Sequence, residues 1–251
     1  MKYGRDFFDS LYEKWNSPKF IHPDPLEFLH RYKNPADQET AGLIAACLAY
    51  GNVKQILKST ENALMPITER PAEQLAAMPD DAIREKYKNF KHRFTTGEEL
   101  AVFLINLKTA RKKHGSLEQL FLMGDDKSEH TVEHSLYNFI NAFNSCGRAP
   151  SLTPDPALKS SFKRINLFLR WMVRKDSVDL GIWNKVSPSR LIIPLDTHMR
   201  QEALKLGLTK RKDTSMKTAL EISAAFRKIN PEDPIKYDFA ITRAGIRGDK
   251  E

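Results

Sequence analysis

Apolar residues recur at three- and four-residue intervals along most of the chain, and no run alternates apolar with polar positions long enough to make a sheet. The pattern predicts an all-α protein. Asp37 ahead of "QETAGLIAACLAY" reads as an N-cap for a helix ending at Gly51, and a second helix follows from about Val53 to Met65, where Pro66 stops it. Tyr50, Gly51 and Asn52 form the tight turn between the two. Further helical segments are "PAEQLAAM", "TGEELAVFLINLKTARKKHG", "SLEQLF" and "TVEHSLYNFINAFNS", parted by Pro-, Gly- or Asp-rich breaks. "RAPSLTPDPALKSS" reads as a connector.

Beyond the connector, "FKRINLFLRWMVRKD" places Phe162, Ile165, Phe168, Leu169 and Met172 on one side of a helix and Lys163, Arg170 and Arg174 on the other, which predicts a basic ridge. The apolar run "IIPL" then leads to Asp196 at the head of "THMRQEALKLG", a helix with Met199, Ala203 and Leu206 as its buried stripe and Gly207 as its stop. Capping alone accounts for an aspartate at this position. The helix end also supplies N–H groups that keep the carboxylate ionised, which suits it to stabilise positive charge or to take a proton. "SMKTALEISAAFRKI" carries the next helix, and Asp233-Pro234 predicts the start of the last.

With 251 residues, 41% apolar and 29% charged, the chain has the composition of a folded globular protein. Its two cysteines are too few for a disulfide framework, a four-cysteine zinc site or a cysteine-ligated iron–sulfur cluster, and a reducing cytoplasm fits them best. The N-terminus lacks the apolar core of a signal peptide or membrane anchor, so no membrane association is expected.

Net charge is +8 with a pI near 9.3, which permits a polyanionic partner. The excess is local: thirteen basic residues stand against four acids between Lys159 and Lys212, and the rest of the chain is close to neutral. A Lys- and Arg-rich helix with Trp171 and Trp183 nearby to stack on a base suits a nucleic-acid groove. The bland alternative makes the ridge a solvated helix face and the tryptophans core residues. If Lys163 faces a cleft, crowding by Arg164 and partial burial free its amine as a nucleophile. "HTVEH", His130 to His134, matches the H-x-x-E-H arrangement of metal hydrolases, which needs a third ligand from elsewhere. That gives a weaker alternative, a metal-dependent hydrolase; the main reading expects neither metal nor cofactor. No G-x-x-x-x-G-K-[ST], G-x-G-x-x-G or G-x-S-x-G is present.

Asp196, Thr197, His198, Arg200 and Leu206-Gly207-Leu208 together resemble the signature of the helix-hairpin-helix (HhH-GPD) DNA glycosylase superfamily, in which an aspartate heads a helix. "LIAACLAYGNVKQI" resembles the helix and turn whose residues enter the duplex there, with Tyr50, Gly51 and Asn52 in that place. From "DPLEFLHRY" to "NPEDPIKYDFAITRAGI", residues 24–247, the chain resembles still more closely an uncharacterised bacterial family at the edge of that superfamily. The glycine-rich hairpin of most members is missing, and the pattern is most similar to archaeal 8-oxoguanine DNA glycosylases, in which a longer helical segment replaces it. Lys163 and Arg164 both fall at the distance before Asp196 where those enzymes carry the catalytic lysine.

The resemblance implies a two-lobed helical fold with a cleft between the lobes. Residues 51–185 would form a central bundle and residues 1–50 plus 186–251 the second lobe, with Lys163 and Asp196 meeting across the cleft. It further implies base excision, with or without abasic-site lyase activity, on double-stranded DNA with a flipped damaged base. Lys163 would attack the sugar and Asp196 would stabilise the developing cation. Arg164, Arg170, Arg174, Lys175 and Arg200 would hold phosphates, Tyr50 and Asn52 would probe the stack, and Trp171 and Trp183 are the candidate base pocket. No iron–sulfur cluster is implied. The alternative within this fold is a non-catalytic nucleic-acid-binding protein, favoured if Arg164 rather than Lys163 faces Asp196.

Overall fold

A computed structural model describes residues 3–158 and 160–247, so Lys159 of the basic segment lies outside the described residues. In chain order the helices are α1 (Arg5–Trp15), α2 (Pro35–Leu48), α3 (Val53–Leu64), α4 (Pro71–Ala77) and α5 (Asp80–Tyr87), followed by the hairpin strands β1 (Lys91–His92) and β2 (Thr95–Thr96). Then come α6 (Gly97–His114), α7 (Leu117–Leu122), α8 (Glu133–Phe143), α9 (Lys163–Val173), α10 (Thr197–Lys205), α11 (Met216–Arg227) and α12 (Asp238–Arg247). Two-residue strands are the longest among the described residues, so the predicted all-α class holds.

Two helix starts differ from the sequence expectation, each for an electrostatic reason. Helix α2 begins two residues before Asp37: Asn34 is the N-cap, its Oδ1 accepting from Ala36 N–H, and Pro35 takes the first position. Asp37 is buried within the first turn, where its carboxylate accepts from Ala72 N–H in α4. Helix α12 begins at Asp238 rather than Asp233, because residues 234–237 form turns and the Asp233 carboxylate is held by Arg174.

The chain divides into two units. One comprises His22–Asp126 and His134–Leu158. At its centre α2 is apolar on almost every side and buried from Glu39 to Leu48, as a helix without a polar face must be. Besides Asp37, its other buried acid, Glu39, receives Arg111 and accepts from Leu117 and Glu118 N–H at the start of α7. Helix α6 opens with a Thr96/Glu99 capping box and closes at Gly115 (φ 82°). Gly97 admits α5 so closely that an added Cβ would stand 2.1 Å from the Tyr87 carbonyl oxygen.

The other unit comprises Met1–Ile21, Lys127–Glu133 and Lys159–Glu251. Both α1 and α10 pack on α12, and the rings of Phe8, Phe226 and Tyr237 meet at centroid distances of 5.3–5.9 Å. These boundaries differ from those read from the sequence: residues 22–50 group with the middle of the chain, and residues 159–185 with the terminal segments. Lys163 and Asp196 therefore belong to the same unit.

Candidate active site

The run Ile192-Ile193-Pro194-Leu195 is non-helical and buried, and it is anchored where Ile193 N–H donates to Ser223 Oγ on α11 (2.9 Å). It delivers Asp196 to the head of α10. There Asp196 Oδ1 accepts from Met199 N–H at 2.9 Å, the capping role expected from the sequence. At the other end Gly207 adopts φ 72° and Leu208 N–H returns to the Ala203 carbonyl, which closes the helix as predicted.

Helix α9 starts under strain. Phe162, the residue before Lys163, is left-handed (φ 48°, ψ 39°) and has no capping side chain, although a bulky L-residue there costs roughly 1–2 kcal/mol. Burial of its ring and three tethers hold it. Ser161 Oγ–H donates to the Leu195 carbonyl (3.0 Å), Asn166 Nδ2–H donates to the Ser161 carbonyl (2.9 Å), and Ser160 bridges antiparallel to Ser215. Leu195 directly precedes Asp196 and Phe162 directly precedes Lys163. The clamp thus joins the two peptides that aim the two side chains.

Lys163 Nζ lies 3.7 Å from Asp196 Oδ2, with the lysine side chain 27% and the aspartate side chain 43% exposed. One carboxylate oxygen is committed to the cap and the other faces an amine that a ligand can reach. The separation exceeds the 2.6–3.2 Å of direct proton transfer, so the pair must close by about half an ångström when it acts.

Behind the pair, the predicted basic ridge turns inward. Arg170 and Arg174 are each 3% exposed, and neither is available to a phosphate. Arg170 binds Asp179 (3.2 Å) and Asp238 (2.5 Å). Arg174 binds Asp176 (3.0 Å), Asp233 (2.9 Å) and Asp179, and Tyr12 donates to Asp176 (2.9 Å). Four carboxylates meet two guanidiniums in a buried network that fixes α9 against the start of α12. Burial pushes the Asp238 carboxyl above its ordinary range despite Arg170, and the charge of Asp196 pushes it further. Burial also raises Asp179 and Asp233, whereas at Asp176 the burial is outweighed by Arg174 and two backbone N–H donors, which hold it low.

Trp171 and Trp183 are 0% and 3% exposed, and Trp183 meets Phe168 edge-on at 5.4 Å, so both are core residues rather than a base pocket. Lys175 is exposed but stands two residues beyond the far end of α9, itself roughly 15 Å along the axis from Lys163 at 1.5 Å per residue. Arg164 and Arg200 remain beside the pair, both partly exposed. Tyr50 and Asn52 belong to the other unit. Tyr50 donates to the His92 carbonyl (2.8 Å) and shares a hydrogen bond with Thr95 Oγ1, and Asn52 caps α3 through Lys54 N–H.

The sequence reading missed a loop. Arg200, one turn beyond Asp196, donates to the Lys212 carbonyl and so docks residues 209–213 against α10. Its signal was the run Lys210-Arg211-Lys212, visible in the charge count but not tied to a site. His130 precedes α8, which begins at Glu133, so the H-x-x-E-H residues do not share one helix turn. No group of three or more His, Cys, Asp or Glu able to hold a metal occurs among the described residues, and no described helix is long and apolar enough to cross a membrane.

No curated protein and no solved structure matches the chain. A family model, described as a protein of unknown function (DUF2400), matches residues 24–247, nearly the whole length. The chain belongs to that family.

Proposed function

We propose that the protein is a DNA-repair-type base-excision glycosylase, with abasic-site lyase chemistry at the same pair, acting on a damaged base flipped out of double-stranded DNA. One observation carries the reading: an accessible lysine amine lies 3.7 Å from a helix-capping aspartate, the two residues that the glycosylase-like signature pairs. Support also comes from the local cation excess and from the commitment of Asp196 Oδ1 to the cap, which leaves Oδ2 to face Lys163. The fold proposed for this chemistry is glycosylase-like, nearest the archaeal 8-oxoguanine enzymes.

In the proposed reaction Asp196 Oδ2 takes a proton from the Lys163 ammonium. The neutral amine attacks the sugar C1′ and the C1′–N bond breaks, its electron pair leaving with the base, which is protonated on departure. Opening of the C1′–O4′ bond then yields an iminium between Lys163 and C1′, which a β-elimination at the 3′ phosphate can follow. Asp196 offsets the positive charge that builds at C1′.

A lysine in the pair favours this reading over a non-catalytic binding protein, because a guanidinium could not supply a neutral amine. Base release from a panel of lesion-containing duplexes is the test. Release by the wild type and its loss in Lys163→Gln and Asp196→Asn are expected. Absence of release on every lesion, with duplex binding intact, points instead to the binding protein.

A further inference from the structure

We infer that the loop from Thr209 to Asp213 is a preformed contact for the nucleic-acid phosphate backbone beside the Lys163–Asp196 pair, with Lys210 and Lys212 as its two phosphate ligands. The inference rests on the nucleic-acid reading above. It replaces Arg170 and Arg174, the cations that the sequence suggested and the fold consumes.

The loop is held at every residue but its outward cations. Thr209 Oγ1–H donates to Glu221 (2.8 Å), and the same oxygen accepts from Arg211 N–H (3.0 Å). Arg211 Nε–H donates to Thr218 Oγ1 (3.0 Å) and its Nη2 lies 3.2 Å from Asp213. Asp213, its side chain 49% exposed, is bonded to the head of α11: it accepts from Ser215 N–H (3.0 Å), from the Ser215 hydroxyl and from Thr218 Oγ1–H (2.6 Å). Those donors hold its carboxyl far below the ordinary range, so it stays ionised and occupied. Lys210 and Lys212 are exposed and make no side-chain ion pair among the described residues. The loop's single acid is occupied by the head of α11 and by Arg211, and its two lysines are exposed.

Its position relative to the pair is fixed twice. Arg200 on α10 binds the Lys212 carbonyl, and the Ser160–Ser215 bridge joins the segment entering α9 to the segment leaving the loop. A strand whose sugar reaches Lys163 has its flanking phosphates in the neighbourhood of this loop. Because the backbone is already ordered, binding two phosphates there costs little further entropy. Contacts of this kind set register and affinity and read no sequence.

The test is the salt dependence of binding to a duplex carrying a non-cleavable abasic-site analogue, with wild type, Lys210→Ala/Lys212→Ala and Lys112→Ala/Lys113→Ala compared. Lys112 and Lys113 are equally exposed cations at the end of α6, in the other unit. Each lost phosphate contact removes about 0.9 from the slope of log K against log salt, so the loop variant should lose about 1.8 and bind more than about tenfold weaker at 0.1 M salt. The α6 variant should lose less than half of that. An unchanged slope in the loop variant, or an equal loss in both variants, overturns the inference while leaving the proposed function standing. A wild type with no salt-dependent binding overturns both.

Discussion

Arg174→Met separates the two roles that a basic residue on α9 can have. Methionine replaces most of the buried stem, so what is lost is the charge and its hydrogen bonds to Asp176, Asp179 and Asp233. Asp179 is fully buried and would keep only Arg170 at 3.2 Å, whereas Asp176 and Asp233, at 10% and 22% exposure, can recover part of their hydration. Removing one partner of a buried ion pair costs about 3–5 kcal/mol. At roughly 2–4 °C per kcal/mol for a chain of this size, the melting temperature at pH 7 should fall by about 6–20 °C. The sign with pH follows from linkage: a carboxyl whose folded pKa lies above its unfolded value destabilises the fold as pH rises through the folded pKa. With Arg174 gone, Asp179 rises further, so the deficit should shrink as pH falls toward 3.8. Arg174→Met/Asp179→Asn should recover part of the loss. Calorimetry at several pH values, beside duplex binding, decides the matter. A melting point within about 2 °C of wild type together with lost DNA affinity would mean that Arg174 is a phosphate contact after all and that the buried network is wrongly drawn.

Three further outcomes follow from the same physics. Gly97→Ala forces a Cβ to 2.1 Å from the Tyr87 carbonyl, and a cost of roughly 1–3 kcal/mol should lower the denaturant midpoint; an unchanged midpoint refutes the close α5–α6 approach. Ser161→Ala breaks the tether to Leu195 and should slow base release about tenfold at saturating DNA, equivalent to roughly 1.4 kcal/mol, with Ser161→Thr recovering most of it; equal losses of stability and rate in both variants would make the clamp merely structural. Asp213 is held low by the α11 cap, so its stabilisation is present above the ordinary aspartate value of 3.8 and is lost as pH falls below it. Amide exchange at Ser215 and Thr218 should accelerate there, and exchange rates insensitive to acid would contradict the cap.

Local features of the fold were legible in the sequence because local interactions produce them. Asp196 as a cap, Gly207 as a stop and the helix from Val53 each need only a few neighbouring residues. The failures involve partners distant in sequence. Arg170 and Arg174 satisfy a helical basic face as well as any surface cations do, and only the return of residues 233–238 onto α9 supplies the acids that bury them. A charge count sees the excess and not the pairing. Asp233-Pro234 looks like a helix start because nothing nearby shows that the carboxylate is already held by Arg174. The tryptophans followed the default for large aromatics, the core. Nothing in "SSFKRIN" announces a left-handed phenylalanine or the Ser161 and Asn166 tethers, since both polar residues are unremarkable until Leu195 arrives beside them.

The central claim is that Lys163 is the nucleophile and Asp196 its proton acceptor. Borohydride trapping on a lesion-containing duplex, followed by mapping of the cross-linked peptide, tests it most directly. The predicted result is a reduced covalent adduct on Lys163, absent in Lys163→Gln and strongly diminished in Asp196→Asn. An adduct on another residue, or trapping that survives Lys163→Gln undiminished, would contradict it.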